Sequence, residues 1–175
     1  MARNGPKMVL TLLIIGAICG GLLSGVNAVT TPIIEERRYM EFIQALEDFF
    51  PEKAEYESHE IGDEEFHTIY DGDDDFLGVV AQVEARGYGG EILYDLAIDT
   101  DGDIVGMRVV SHEETPGIGD VIETEDFQQR IIGLNADDPI ELNEDVDVIT
   151  GSTTSMEGMV DSVRRVADIV EEEYL

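Results

Sequence analysis

Five hydroxyl side chains, Thr150, Ser152, Thr153, Thr154 and Ser155, crowd around Gly151 just ahead of a helical pattern near the C-terminus. The first turn of a helix has N–H groups with no intrahelical partner and carries the positive end of the helix dipole. A phosphate is stabilised at such a place. Gly151 permits close backbone approach, and a hydroxyl here can serve as an attachment point. Ordinary helix capping by Ser or Thr is the competing reading. A second candidate is His112-Glu113-Glu114-Thr115-Pro116-Gly117-Ile118-Gly119-Asp120. Its proline and glycines shape a loop whose backbone amides can face a ligand, or a purely structural turn. The third is Gly87-Tyr88-Gly89-Gly90-Glu91, which also reads as a hairpin connection.

These loops need elements to hold them. Met156 to Glu173 reads as a helix, with Met159, Val160, Val163, Val166, Ala167 and Val170 on its apolar face. Strand patterns cover Phe66 to Tyr70, Phe76 to Ala85, Glu91 to Asp99 and Ile104 to Ser111, with a brief strand over Asp145 to Ile149. Turn-rich links separate them, and Phe127 to Ile132 suggests a short helix. Glu35 to Phe50 reads as an amphipathic helix whose aromatic stripe packs in a core, and Pro51 stops it. The expected fold is α+β: a twisted, mainly antiparallel sheet with helices packed on it. Asp99-Thr100-Asp101-Gly102-Asp103 invites a calcium reading, but the twelfth position of such a loop holds Val110, so a β-turn is the better account. Asp71 to Asp75 reads as a hairpin tip. His59, His67 and His112 lack ligand spacing, and no metal is assigned.

Met8 to Val29 carries no charge and has the length of a bilayer-spanning helix. Thr30 to Pro32 is read as its end. Arg3 and Lys7 precede it and acids follow it, which keeps the N-terminus in the cytoplasm and places the domain outside. The expected organisation is a cytoplasmic N-terminus over 1–7, a single transmembrane helix over 8–29 and an extracytoplasmic domain over 30–175. A signal peptide cleaved after Val26-Asn27-Ala28 is the rival; the length of the apolar run favours the anchor. Cys19, the one cysteine, lies within this run, so no disulfide forms within one chain.

The formal net charge is −30, and every Asp and Glu lies at or beyond Glu35. Without Arg3 and Lys7, the part after the anchor stands at −32. A surface so acidic excludes nucleic acid as a partner. It fits a salty exterior, a surface kept soluble by charge, or a cationic redox partner.

Taken in order, an apolar anchor, Gly87-Tyr88-Gly89-Gly90, Glu114-Thr115-Pro116-Gly117-Ile118-Gly119 and Asp147-x-x-Thr150-Gly151-Ser152-Thr153 resemble the G-type, FMN-binding subunit of the Rnf complex. The chain is also similar to the C-type subunit of the sodium-pumping NADH:quinone reductase. The resemblance runs from the anchor to the last helix. It implies an FMN-binding domain behind one transmembrane helix, with FMN joined through its phosphate to Thr153 as a phosphoester. The family pattern is Asp-x-x-Ser/Thr-Gly-Ala-Ser/Thr, so Asp147 is its acidic residue, and Thr150, Gly151, Ser152 and Thr154 surround the acceptor. Glu114, Thr115, Gly117, Ile118 and Gly119 would lie against the isoalloxazine ring. The sequence departs from the pattern at Ser152, where the family has alanine, at Thr154, a second adjacent hydroxyl, and at Met156, where serine or proline is frequent. The implied function is electron transfer within a membrane-bound, ion-translocating oxidoreductase, in which this subunit is not catalytic alone. Implied partners are the D-, A- and E-type membrane subunits, the cytoplasmic flavin and iron–sulfur subunits, a flavin transferase that uses FAD, and an extracytoplasmic cytochrome. The alternative is a membrane-anchored extracytoplasmic binding or scaffold module without covalent flavin.

The charge carries its own expectation. Removing salt unscreens the repulsion among the acids, so the melting temperature of the purified protein should fall as ionic strength falls. An unchanged melting temperature over a wide salt range would discard the electrostatic reading.

Overall fold

The computed structural model describes residues 5–62, 64–143, 145–149 and 151–175. The chain divides into an N-terminal helical unit, Met1–Glu41, and a compact domain, Phe42–Leu175. Helix α1 runs unbroken over Gly5–Phe49, through Pro32. The break expected at Thr30 to Pro32 does not occur. Proline removes one backbone donor, and on the preceding turn the Thr30 and Thr31 hydroxyls donate to the carbonyls of Val26 and Asn27 at 3.0 and 2.8 Å. Those bonds engage carbonyls of the turn that proline perturbs. The apolar part of α1 is long enough to cross a bilayer, and its side chains are exposed.

In the domain, β1 (Glu55–Ile61), β2 (Glu64–Tyr70), β3 (Phe76–Arg86), β4 (Glu91–Asp99) and β5 (Ile104–His112) form one antiparallel sheet in sequence order. Four of these strands match the apolar patterns of the sequence. β1 does not. Its residues Glu-Tyr-Glu-Ser-His-Glu-Ile are nearly all exposed, because it is an edge strand that buries little and is held by a continuous ladder to β2. Two hairpin tips share one construction. Asp71 accepts through Oδ1 from the amides of Asp73 and Asp75, and Asp99 does so from those of Asp101 and Asp103. The acidic stretch Asp99 to Asp103 is therefore a turn held by its own first carboxylate.

One sheet face packs under α2 (Glu125–Ile131), α3 (Thr153–Tyr174) and a 3₁₀ turn, Gly119–Glu123. Its core holds Phe66, Tyr94, Leu96, Phe127 and Ile122 with the apolar face of α3. The other face is covered by the last turns of α1 and by Phe50 just past its end, where Phe42, Leu46 and Phe50 meet Ile69, Val80 and Ala97. The strand expected over Asp145 to Ile149 is absent. Val146 is buried and makes an isolated bridge to Leu142, while the Asp147 carbonyl accepts from the Arg130 guanidinium at 2.9 Å instead of from a neighbouring strand. This segment is thus pinned by a side chain and delivers the chain to α3.

Asp95, on the α1-facing side of β4, is 2% exposed, and its Oδ1 has no hydrogen-bond partner. Burial pushes its carboxyl up to about 6, against opposing effects from the Arg108 guanidinium and a hydrogen bond with Gln82. A carboxyl raised above its unfolded value contributes stability at low pH, and that contribution is lost as pH rises through about 6. Asp95→Asn should therefore be more stable than wild type above pH 6, by on the order of 2 kcal/mol, with a higher melting temperature there and little change near pH 4. Thermal melts across this range check it; equal effects at both ends would contradict the assignment.

Candidate functional site

The three loops singled out in the sequence meet at one end of the sheet, and Glu114 is where the two glycine loops join. Its side chain is buried, and its Oε1 accepts from the Gly89 amide at 3.1 Å. A Cβ at Gly87 or Gly119 would strike the Glu114 carboxylate, and one at Gly89 would strike the Glu113 carbonyl. The glycines of both loops therefore let their backbones close around one acidic side chain. Gly117, at φ 78, turns the second loop back on itself; its amide donates to Asp120 at 2.9 Å, and the Ile118 and Gly119 amides both donate to the Thr115 carbonyl at 3.1 Å.

The loop of residues 151–155 is fastened to the other two. Ser152 is buried, and its hydroxyl donates to the Ile118 carbonyl. The Tyr88 amide donates to the Ser155 hydroxyl at 3.4 Å. A Cβ on Gly158 would strike the Arg86 carbonyl, so α3 lies directly against the end of β3. Ser152 stands at the N-cap position of α3 yet makes no capping bond, because its hydroxyl is turned to Ile118. The amides at the start of the helix are thereby left without a side-chain cap. Gly151 has φ 102, which favours glycine, and open space around its Cα.

Between these loops lies a cleft of about 410 Å³ lined by Tyr88, Glu114, Thr115, Ile118, Gly119 and residues 151–155. Thr153, the first residue of α3, is exposed within it, as is Thr154. A second depression of about 320 Å³ adjoins it and shares Ile118, Gly151 and Ser152, with Gly117 among its other lining residues. Of the residues expected at the site, Glu114, Thr115, Ile118, Gly119, Gly151, Ser152, Thr153 and Thr154 line the main cleft and Gly117 the second. Asp147 lines neither; its side chain is exposed, and its carbonyl is held by Arg130. Thr150 lies outside the described residues. Tyr88 and Ser155 belong to two of the motifs, were not assigned to the cofactor, and also line the main cleft. Tyr88 is 79% exposed and Ile118 56%, so two apolar surfaces stand open to a ligand. A tyrosine set between glycines in a turn was the available signal for the first.

The cleft joins a helix start suited to phosphate, an accessible hydroxyl and apolar faces suited to a planar ring. The family model described as "FMN-binding domain" matches residues 87–168, from the first glycine loop into α3. Curated relatives are described as the G-type subunit of an ion-translocating oxidoreductase complex. That of Methanosarcina acetivorans is 29% identical, with 97% of this chain and 96% of the relative covered. That of Photorhabdus laumondii subsp. laumondii is 30% identical, covering 95% and 88%. That of Erwinia tasmaniensis is 30% identical, covering 97% and 89%. Among solved structures, NqrC of Shewanella oneidensis is similar with a TM-score of 0.49 and 23% identity, covering 57% of this chain and about half (53%) of that one.

The close backbone approach at Gly89 has a measurable consequence. Gly89→Ala should lower stability by roughly 1–3 kcal/mol, because backbone must move to admit the methyl group. Gly72→Ala, in a hairpin tip where nothing lies within 4 Å of an added Cβ, should cost much less. Chemical denaturation of the two variants compares them; equal costs would show that the loops do not need the close contact.

Proposed function

The chain belongs to the family of G-type subunits of ion-translocating oxidoreductase complexes, and from that premise we propose that Thr153 carries FMN through a phosphoester and serves as a fixed electron relay. The observation that carries this reading is the exposed Thr153, in the cleft where all three loops meet, on a helix start without a side-chain cap. In the attachment step, the Thr153 hydroxyl oxygen bonds to the FMN-side phosphorus of FAD. The bond to the AMP-side oxygen breaks, and AMP leaves with the threonine proton. A flavin transferase supplies this step.

The residues of the cleft fit the group. The amides at the start of α3 favour a phosphate. Gly151 leaves room beside it, and Tyr88 and Ile118 offer apolar faces to a ring. Glu114 and the Thr115–Gly119 turn close the side of the cleft. Bound there, a flavin supplies the capacity to accept and pass on electrons, while the protein sets its position and electrostatic surroundings. A covalent link also retains the cofactor where no cytoplasmic pool can replace it.

In this reading α1 spans the membrane over 8–29, with Arg3 and Lys7 on the cytoplasmic side and the acidic domain outside. The partners are other membrane subunits of the complex, with the D-, A- and E-type subunits and the cytoplasmic flavin and iron–sulfur subunits as the specific candidates. An extracytoplasmic cytochrome is a candidate acceptor.

The test uses the full chain produced together with a flavin transferase. After denaturing electrophoresis, wild type and Thr153→Ser should fluoresce under ultraviolet light, and Thr153→Ala should be dark. An alanine variant that fluoresces like wild type removes Thr153 as the attachment point.

A further inference from the structure

We propose that His112 is a positioning residue for the cofactor cleft, holding the loop that delivers Glu114. The inference rests on the flavin reading above for its effect on the cofactor, but its geometry is independent of it. His112 is the last residue of β5, where the ladder to β4 ends opposite Ile92. Its ring is largely buried and held at both nitrogens. Nδ1 receives the Glu114 amide at 3.0 Å, and Nε2 lies 3.1 Å from Oε1 of Glu123 at the end of the 3₁₀ turn.

A backbone amide only donates, so Nδ1 must be the unprotonated, accepting nitrogen. Nε2 then carries the proton and donates to Glu123. The ring thus joins the start of the Glu113–Gly119 loop to the 3₁₀ turn that closes that loop. Between these two holds stands Glu114, whose carboxylate receives the Gly89 amide and whose position fixes the glycines of both loops. His112 does not line the cleft. It acts through Glu114, the one acidic side chain among the described residues that line the cleft.

The two bonds of the ring can be separated by substitution. In His112→Asn, the side-chain oxygen stands where Nδ1 stood and still accepts from the Glu114 amide, while the reach to Glu123 is lost. In His112→Gln, the terminal amide reaches toward Glu123, but the acceptor for Glu114 is lost. A purely space-filling role would treat the two alike, or favour the larger glutamine.

The experiment is done on full-length protein purified in detergent, with two readouts. Hydrogen exchange over residues 113–119 reports the loop itself. The flavin midpoint potential reports the cleft, because a negative carboxylate held near the cofactor disfavours its reduced form. His112→Gln should speed exchange at the Glu114 amide about tenfold, the effect of losing one hydrogen bond. It should also shift the two-electron equilibrium toward the reduced flavin by about tenfold, ~30 mV. His112→Asn should stay near wild type in both. Equal behaviour of the two variants, or glutamine behaving as wild type, overturns the proposal. Wild-type protein matured with the transferase but lacking flavin overturns the flavin reading instead, and the exchange pattern then decides the role of His112 by itself.

Discussion

The site depends on one contact, the closure of two glycine loops around the buried side chain of Glu114. A carboxylate withdrawn from water must be met by donors, and the Gly89 amide supplies one at 3.1 Å. Donation at that range requires the backbone to come closer than any side chain would allow, and Gly87, Gly89 and Gly119 make this possible. Once Glu114 is fixed, the Thr115–Gly119 turn is fixed with it. Its Ile118 carbonyl takes the Ser152 hydroxyl, and that bond sets the entry of α3. Position thus passes from β3 and β4 through Glu114 to Thr153.

The same arrangement answers an electrostatic difficulty. The chain over 30–175, at −32, repels an anionic phosphate over most of its surface. The start of α3 is a local exception, where uncapped amides and the helix dipole favour negative charge. Turning Ser152 toward Ile118 leaves those amides available. The proposed ester to Thr153 makes retention independent of the surrounding field, which matters more for this chain than for a neutral one.

Much of the domain could be read from the sequence, for physical reasons that differ by element. The apolar face of α3 repeats at helical spacing, and all of Met159, Val160, Val163, Val166, Ala167 and Val170 are buried. Strands β2 to β5 were legible because each buries apolar side chains on at least one face. β1 was not, because Glu55, Glu57 and Glu60 sit on an edge strand held by backbone pairing, which leaves no apolar signature. Pro32 suggested a break that the helix absorbs, with threonine hydroxyls bonded to carbonyls of the preceding turn. At the site, the motifs were visible but their contacts were not. Nothing local to Gly158 points to Arg86, and nothing local to Ser152 points to Ile118. Asp147, a member of the sequence motif, lies outside the cleft with its carbonyl held by Arg130, while the Tyr88 amide is tied to Ser155 within it.

The position of the hydroxyl proposed to bear the cofactor is the most direct thing to measure. Fragmentation mass spectrometry of peptides from mature, full-length protein distinguishes Thr153 from its neighbours Ser152, Thr154 and Ser155. A single FMN phosphoester on Thr153 is the expected result. FMN on Thr154 or elsewhere in the chain, or an unmodified peptide from fully matured protein, would contradict the arrangement described.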